Sequence, residues 1–245
     1  YTGEDTLSLH DALPIWCVFF YGAYELPLLT LIGEILKKMD RPVVLDIGAN
    51  VGQHTLYMSS FASRIHAFEP HPDFCRAIAN KVALNHLSNV SIHNLGLGDN
   101  NATLQYFAPA GHQHNKGTGS FVEGYNTGLE PFEYLQVKKG DDYIDSLGLT
   151  KIDFIKIDVE GLEMEVLTGL QKSLQTFRPV IIMEFSEKTA RKISTSDRLR
   201  ALFPTGYTIR LVNPEAGGKL TNFDFDAGRG DIIGFDGGIH FQDDL

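Results

Sequence analysis

Four short runs hold the residues whose types and spacing could do chemistry. Asp46 to Gly52 reads DIGANVG, His66 to Pro70 reads HAFEP, Leu95 to Asp99 reads LGLGD, and Phe154 to Gly161 reads FIKIDVEG. Gly48 and Gly52 remove a Cβ from each end of a tight turn, which lets a ligand approach the bare backbone. A dinucleotide fingerprint would need GxGxxG facing an anionic pyrophosphate, but Asn50 holds the second glycine position and Asp46 places a carboxylate at the mouth of the turn. A carboxylate repels pyrophosphate and attracts an ammonium, so the expected ligand bears an α-amino group and a cationic centre. Glu69 follows Gly48 by 21 residues, the spacing at which an acid accepts both hydroxyls of a ribose. Asp99 is then a candidate for the exocyclic amine of adenine.

An amino acid, a ribose and an adenine in that order describe S-adenosylmethionine, with Asp46, Gly48, Asn50, Gly52, Glu69 and Asp99 as its candidate binding residues. Each acid also has a plainer reading as a helix cap or turn former; the order of the three favours the ligand. In the fourth run, Lys156 and Asp158 share one strand face by period two, and Asp158 falls at the strand end where a transferred methyl would sit. Glu160 is expected to open the following helix, where an acid also suits the helix dipole. Asp158 and Glu160 are the candidate general bases for a hydroxyl acceptor, and Glu184 is a lesser candidate. Lys156 reads best as a buried ion-pair partner for Asp158 or Glu184. A Mg²⁺ ion held by Asp158, Glu160 and Glu184 is the alternative means of acidifying a hydroxyl, although no metal site is assigned. His112 and His114 have HxH spacing in a glycine-rich loop without an evident third ligand. Asp224, Asp226 and Asp231 lack the calcium-loop pattern and read as a solvated turn.

The elements that must position these residues follow from hydrophobic period. Apolar residues recur at threes and fours from Leu26 to Met39, which predicts a helix ending before Pro42. Val43–Ile47, Ile65–Phe68, Val90–Leu95, Ile152–Ile157 and Val180–Phe185 read as buried strands. Helices are expected over 52–61, 72–84, 160–174 and 189–203, and two late strands at Thr208–Val212 and Asp231–Phe235. Thr103–Phe107 and Leu135–Lys138 read as short strands around a long Gly, His and Asn rich stretch, expected to be a lid or insertion over about 108–130. Strands alternating with helices predict an α/β fold, a doubly wound and mostly parallel sheet with both faces covered.

The 245 residues are 43% hydrophobic and 21% charged, as in ordinary globular chains, and no internal repeat or linker divides them. A net charge of −10 removes the field that would attract a phosphate backbone, so nucleic acid is not an expected partner. Cys17 and Cys75 make no disulfide framework, so a reducing, cytoplasmic setting is expected. Glu25, Pro27 and Glu34 interrupt the most apolar window, and neither a membrane span nor an export signal is expected. Residues 1–15 show no regular period, and SLHDALPI resembles a translated sequencing adapter; they are set aside, leaving 16–245 as one expected domain.

Taken together, VVLDIGANVGQHTLY, AFEP, LGLGDN, GTGSF, DFIKIDVEGLEMEVLTGL and RPVIIMEF resemble the FkbM-type S-adenosylmethionine-dependent methyltransferases over residues 43–185. The resemblance implies a seven-stranded, Rossmann-like sheet with an antiparallel last hairpin, and methyl transfer to oxygen. It also implies that Asp46, Gly48, Asn50, Gly52, Glu69 and Asp99 line the cofactor site, and that the acceptor is a small molecule or glycan of sugar or polyketide type. The alternatives are an NAD(P)-dependent oxidoreductase on the same fold class and a non-catalytic S-adenosylmethionine-binding subunit.

Overall fold

The computed structural model describes residues 25–109, 119–124, 128–213, 215–227 and 229–236. Helix α1 (Leu26–Lys37) buries Leu28, Leu29, Ile32, Ile35 and Leu36, the stripe expected from their spacing. Strand β1 (Val43–Ile47), helix α2 (Gln53–Ser59), strand β2 (Arg64–Phe68), helix α3 (Pro72–Leu84) and strand β3 (Val90–His93) follow in alternation. Pro72 suits the first turn of α3 because its missing N–H has no helical partner there, and His71 caps the helix by accepting from the Asp73 amide.

Strands β7 (Phe154–Ile157) and β8 (Val180–Phe185) complete a parallel core ordered β8-β7-β1-β2-β3. Strands β9 (Tyr207–Asn213), β10 (Lys219–Asn222) and β11 (Gly230–Asp236) are antiparallel, and β11 inserts between β8 and β9. Among the described residues the principal sheet therefore has eight strands and is mixed, where seven were expected. The additional strand, β10, is the short polar hairpin partner of β9, and its composition hid it in the sequence. Chain order reverses between β1 and β7, which puts the switch point at the carboxyl ends of these two strands.

Strands β4 (Gly96–Gly98), β5 (Ala102–Pro109) and β6 (Leu129–Lys139) form a second sheet, ordered β4-β6-β5. The run expected as one strand over Val90–Leu95 thus ends at His93, and the chain changes sheets. Helices α4 (Gly140–Ser146), α5 (Glu163–Gly169), α6 (Gln171–Phe177), α7 (Glu187–Ile193) and α8 (Ser196–Leu202) are all one or two turns long. The helix expected over 160–174 starts later and is divided: Glu160 and Gly161 take positive φ of 51° and 104°, and α5 gives way to α6 at Leu170. Ser194, at φ 75°, likewise divides the helix expected over 189–203.

Alternating strand residues supply two apolar layers. Leu45, Ile47, Ile155, Ile157, Ile181 and Met183 pack with Val166, Leu167, Leu174 and Ile193 on one face. Val44, Phe154, Val180, Ile182 and Ile233 pack with Ile32, Ile35, Leu36 and Met58 on the other. Among the described residues no helix is long and apolar enough to cross a membrane. Residues 1–15, Cys17, His112, His114 and most of the expected lid lie outside the described residues.

Candidate functional site

A cavity opens at the switch point, enclosing about 650 Å³ with its mouth and lined by Ile47, Gly48, Asn50, Glu69, Asp158 and Glu160 among others. Its floor depends on Gly48, which has φ 84° and whose missing Cβ would lie 1.8 Å from the Asp158 carbonyl oxygen. The ends of β1 and β7 can touch only because no side chain intervenes. The amides of Gly48 and Ala49 both donate to the Phe68 carbonyl at 3.0 Å, which closes the turn onto β2. Asn50 follows at φ 50°, a conformation Asn tolerates better than most residues.

Glu69, at the end of β2, reaches that turn and lines the cavity beside it. Its carboxylate accepts from the Asn50 amide and from the His71 amide, both at 2.8 Å, and the residue is only 6% exposed. Burial pushes its carboxyl up to about 7, against the two amides that favour the charged form, while Asp46 and Asp158 add repulsion. Each oxygen retains a lone pair for a further donor, as two ribose hydroxyls would require.

The other expected residues separate into those that reach the cavity and those beneath or beyond it. Asp46 is fully buried and does not line the cavity; it accepts from the Thr55 hydroxyl at 2.5 Å and pairs in register with Lys156. Gly52 begins α2 at φ 84°, and a Cβ there would meet Ile78 at 2.9 Å, so it serves packing. Asp99 is exposed, accepts from the Asn100 side chain and is not among the lining residues. Strand β4, which precedes it, belongs to the second sheet, and Gly96 and Leu97 of that strand line the cavity.

Lys156 is buried and donates to Asp158 at 3.0 Å, the ion pair expected from the sequence. Burial alone would raise the Asp158 carboxyl, but the adjacent Lys156 charge and hydrogen bond outweigh it and hold the pKa below its ordinary value. Glu160 lines the cavity from a left-handed turn three residues before α5, so it is not a first-turn acid. Glu163 occupies that place, fully buried, accepting from the Gly161 amide and the Thr189 hydroxyl. Among the described residues, no three His, Cys, Asp or Glu side chains are grouped to hold a metal ion, and Asp158, Glu160 and Glu184 do not form such a set.

Sequence reasoning missed the apolar walls, Phe74, Leu97, Tyr106 and Phe121, which can face a flat heterocycle. Phe121 belongs to a strap over the cavity mouth. Ser120 forms an antiparallel bridge with Phe107, and its hydroxyl donates to the Glu160 carbonyl at 2.6 Å. The GTGSF run was the available signal, but nothing local says that it folds back onto the fourth strand end.

The sequence model of the methyltransferase FkbM domain matches residues 46–210. Hexuronic acid methyltransferase AglP of Haloferax volcanii is 31% identical over 141 residues, covering 57% of this chain and 54% of the relative. The 2-O-methyltransferase NoeI of Sinorhizobium fredii is 26% identical over 166 residues, covering 63% of this chain and 67% of the relative. The chain spans less than two thirds of the length of AglP, and of other curated relatives it matches. Among solved structures, the FkbM methyltransferase of Methylobacillus flagellatus superposes with a TM-score of 0.53 at 17% identity, over 79% of this chain and 43% of that one, a likeness of fold.

Proposed function

The chain belongs to the methyltransferase FkbM family, and from that premise we propose that it methylates a hydroxyl oxygen of a small molecule or glycan, using S-adenosylmethionine bound in the switch-point cavity. The observation that carries this reading is Glu69, a buried cavity-lining carboxylate held by two backbone amides, one of them from the turn that begins at the bare Gly48. Such an acid accepts a pair of hydroxyls, and the apolar walls opposite suit an adenine. When bound, S-adenosylmethionine supplies an electrophilic methyl group on a sulfonium. NoeI, a 2-O-methyltransferase, supports an oxygen acceptor, and AglP, a hexuronic acid methyltransferase, supports an acceptor of sugar type.

The chain's own residues then have three tasks. Gly48 and Asn50 shape the floor so that the ligand lies against backbone. Asp158, kept ionised by Lys156, faces the cavity with a negative charge that stabilises a nearby cation. The strap of Ser120 and Phe121 narrows the mouth, excludes water and helps to hold acceptor oxygen and methyl carbon in line, which can supply a large share of the acceleration. Calorimetry with S-adenosylmethionine, followed by a screen of hydroxylated sugars and polyketides for release of S-adenosylhomocysteine, tests this reading. Preferential binding of a nicotinamide dinucleotide would overturn it.

A further inference from the structure

The cavity is short of hydrogen-bond donors. Of the side chains that line it, those of Glu69, Asp158 and Glu160 only accept when ionised, and those able to donate belong to Asn50, Tyr106 and Ser120. Ser120 spends its proton on the Glu160 carbonyl. Tyr106 of β5 differs: the residue is 6% exposed, yet its hydroxyl has no hydrogen-bond partner among the described residues. A buried tyrosine hydroxyl ordinarily finds one. Nor is this oxygen sealed inside the protein, as the partnerless carboxylate oxygens of Asp46 and Glu184 are; it opens on the cavity that Tyr106 lines.

The surroundings place this hydroxyl beside Glu69. The Tyr106 ring meets the His71 ring edge-on at 5.8 Å, and the His71 amide is one of the two that hold the Glu69 carboxylate. Gly119 of the strap lies against Oη, where any Cβ would collide with the oxygen, so the glycine leaves the hydroxyl its room. Burial, and then Glu69 ahead of Glu160, raise the Tyr106 hydroxyl above the ordinary tyrosine range, so it keeps its proton and is a donor throughout the working range of pH. We propose that the Tyr106 hydroxyl donates to a ribose hydroxyl oxygen of the bound cofactor, an assignment that rests on the methyl-transfer reading above. A ribose hydroxyl that gives its proton to Glu69 keeps two lone pairs, which the acids around the cavity cannot satisfy. The carboxylate thus takes the protons of the diol, and the phenol supplies one in return. The arrangement selects an intact ribose, because a ligand without that oxygen leaves both groups unpaired. It also gives the second sheet a part in cofactor binding, since Tyr106 comes from β5.

Calorimetry on the full chain with S-adenosylhomocysteine and its 2′-deoxy and 3′-deoxy analogues tests the assignment. Tyr106→Phe keeps the ring and should weaken S-adenosylhomocysteine binding about fivefold, the worth of one hydrogen bond. Tm should stay unaltered, because the hydroxyl bonds nothing in the described free chain. For one of the two deoxy analogues the substitution should cost nothing, since the oxygen that the hydroxyl served is already gone. Gly119→Ala, whose Cβ displaces the hydroxyl without removing it, is the second variant and should show the same selectivity between the analogues. Unchanged affinity for S-adenosylhomocysteine in Tyr106→Phe overturns the inference, as does an equal loss for all three ligands, which would assign the hydroxyl to packing or to another part of the ligand. A wild-type chain that binds neither S-adenosylmethionine nor S-adenosylhomocysteine overturns the methyl-transfer reading itself, and this inference with it.

Discussion

Gly48 and Asp158 meet backbone to backbone: a Cβ on the glycine would lie 1.8 Å from the aspartate carbonyl oxygen. This contact joins the ends of β1 and β7 at the cavity, where the turn after β1 meets the run that carries Asp158 and Glu160. Gly48→Ala should therefore disturb both, through a left-handed φ of 84° and a main-chain clash that neither strand can relieve. Gly128, at φ 80°, meets nothing within 4 Å and is the control for strain alone. Thermal melting should show Gly48→Ala losing several degrees more than Gly128→Ala, since about 1 kcal/mol moves Tm by about 2–4 °C at this size. Equal losses would mean that the contact is relaxed in solution.

Glu69→Ala should weaken S-adenosylmethionine binding by about 1.5–3 kcal/mol, the usual worth of hydrogen bonds involving a charged group. The raised carboxyl adds a pH signature. If the ionised form accepts the ribose hydroxyls as proposed, affinity should climb as pH rises through about 7 and flatten above it. The effect on stability has the opposite sign: with a folded pKa above the ordinary 4.5, the folded state binds the extra proton between the two values, so this contribution is present below 4.5 and lost as pH rises toward 7. Calorimetry across pH 5.5–8.5 on wild type and Glu69→Gln checks the first point, and the variant should show a flat profile.

Lys156 is the counter-charge for the fully buried Asp46 and for Asp158. Lys156→Met should cost about 3–5 kcal/mol in urea unfolding, because a buried carboxylate is left uncompensated. Adding Asp46→Asn should recover part of that loss, and an additive double variant would refute the coupling.

Ser120→Ala removes the hydroxyl that ties the strap to the Glu160 carbonyl. Loss of one such bond, about 1 kcal/mol, should weaken S-adenosylhomocysteine binding about fivefold in calorimetry while Tm falls by only a few degrees. Unaltered affinity would show that the strap does not contribute to ligand binding.

Much of this molecule was legible along the chain because its signals are local. The short, largely apolar and β-branched runs at Val43–Ile47 and Val180–Phe185 read as strands buried on both faces, and both occur with those bounds. Gly48 and Glu69 were recognisable by residue type and spacing. Lys156 and Asp158, two apart on one strand, had to lie on the same face, where they form the expected ion pair.

What lay outside the sequence depends on contacts between distant segments. Asp99 looked like a strand-end ligand residue, yet β4 pairs with β6 rather than joining the principal sheet, and this turns Leu97 toward the cavity and leaves Asp99 in solvent. Glu160 looked like the first acid of a helix; a left-handed turn pinned by Glu163 and Thr189 put it at the cavity edge instead. Asp158, Glu184 and Asp231 come side by side across β7, β8 and β11 only through strand register, since Glu184 and Asp231 are 47 positions apart in the chain. Residue type and local period thus determined the strands and the acids they present. Which acids face each other, and hence which of them have their pKa raised by burial and repulsion, was decided by tertiary pairing, because a carboxyl's affinity for its proton is set by the charges and solvent around it rather than by its neighbours in sequence.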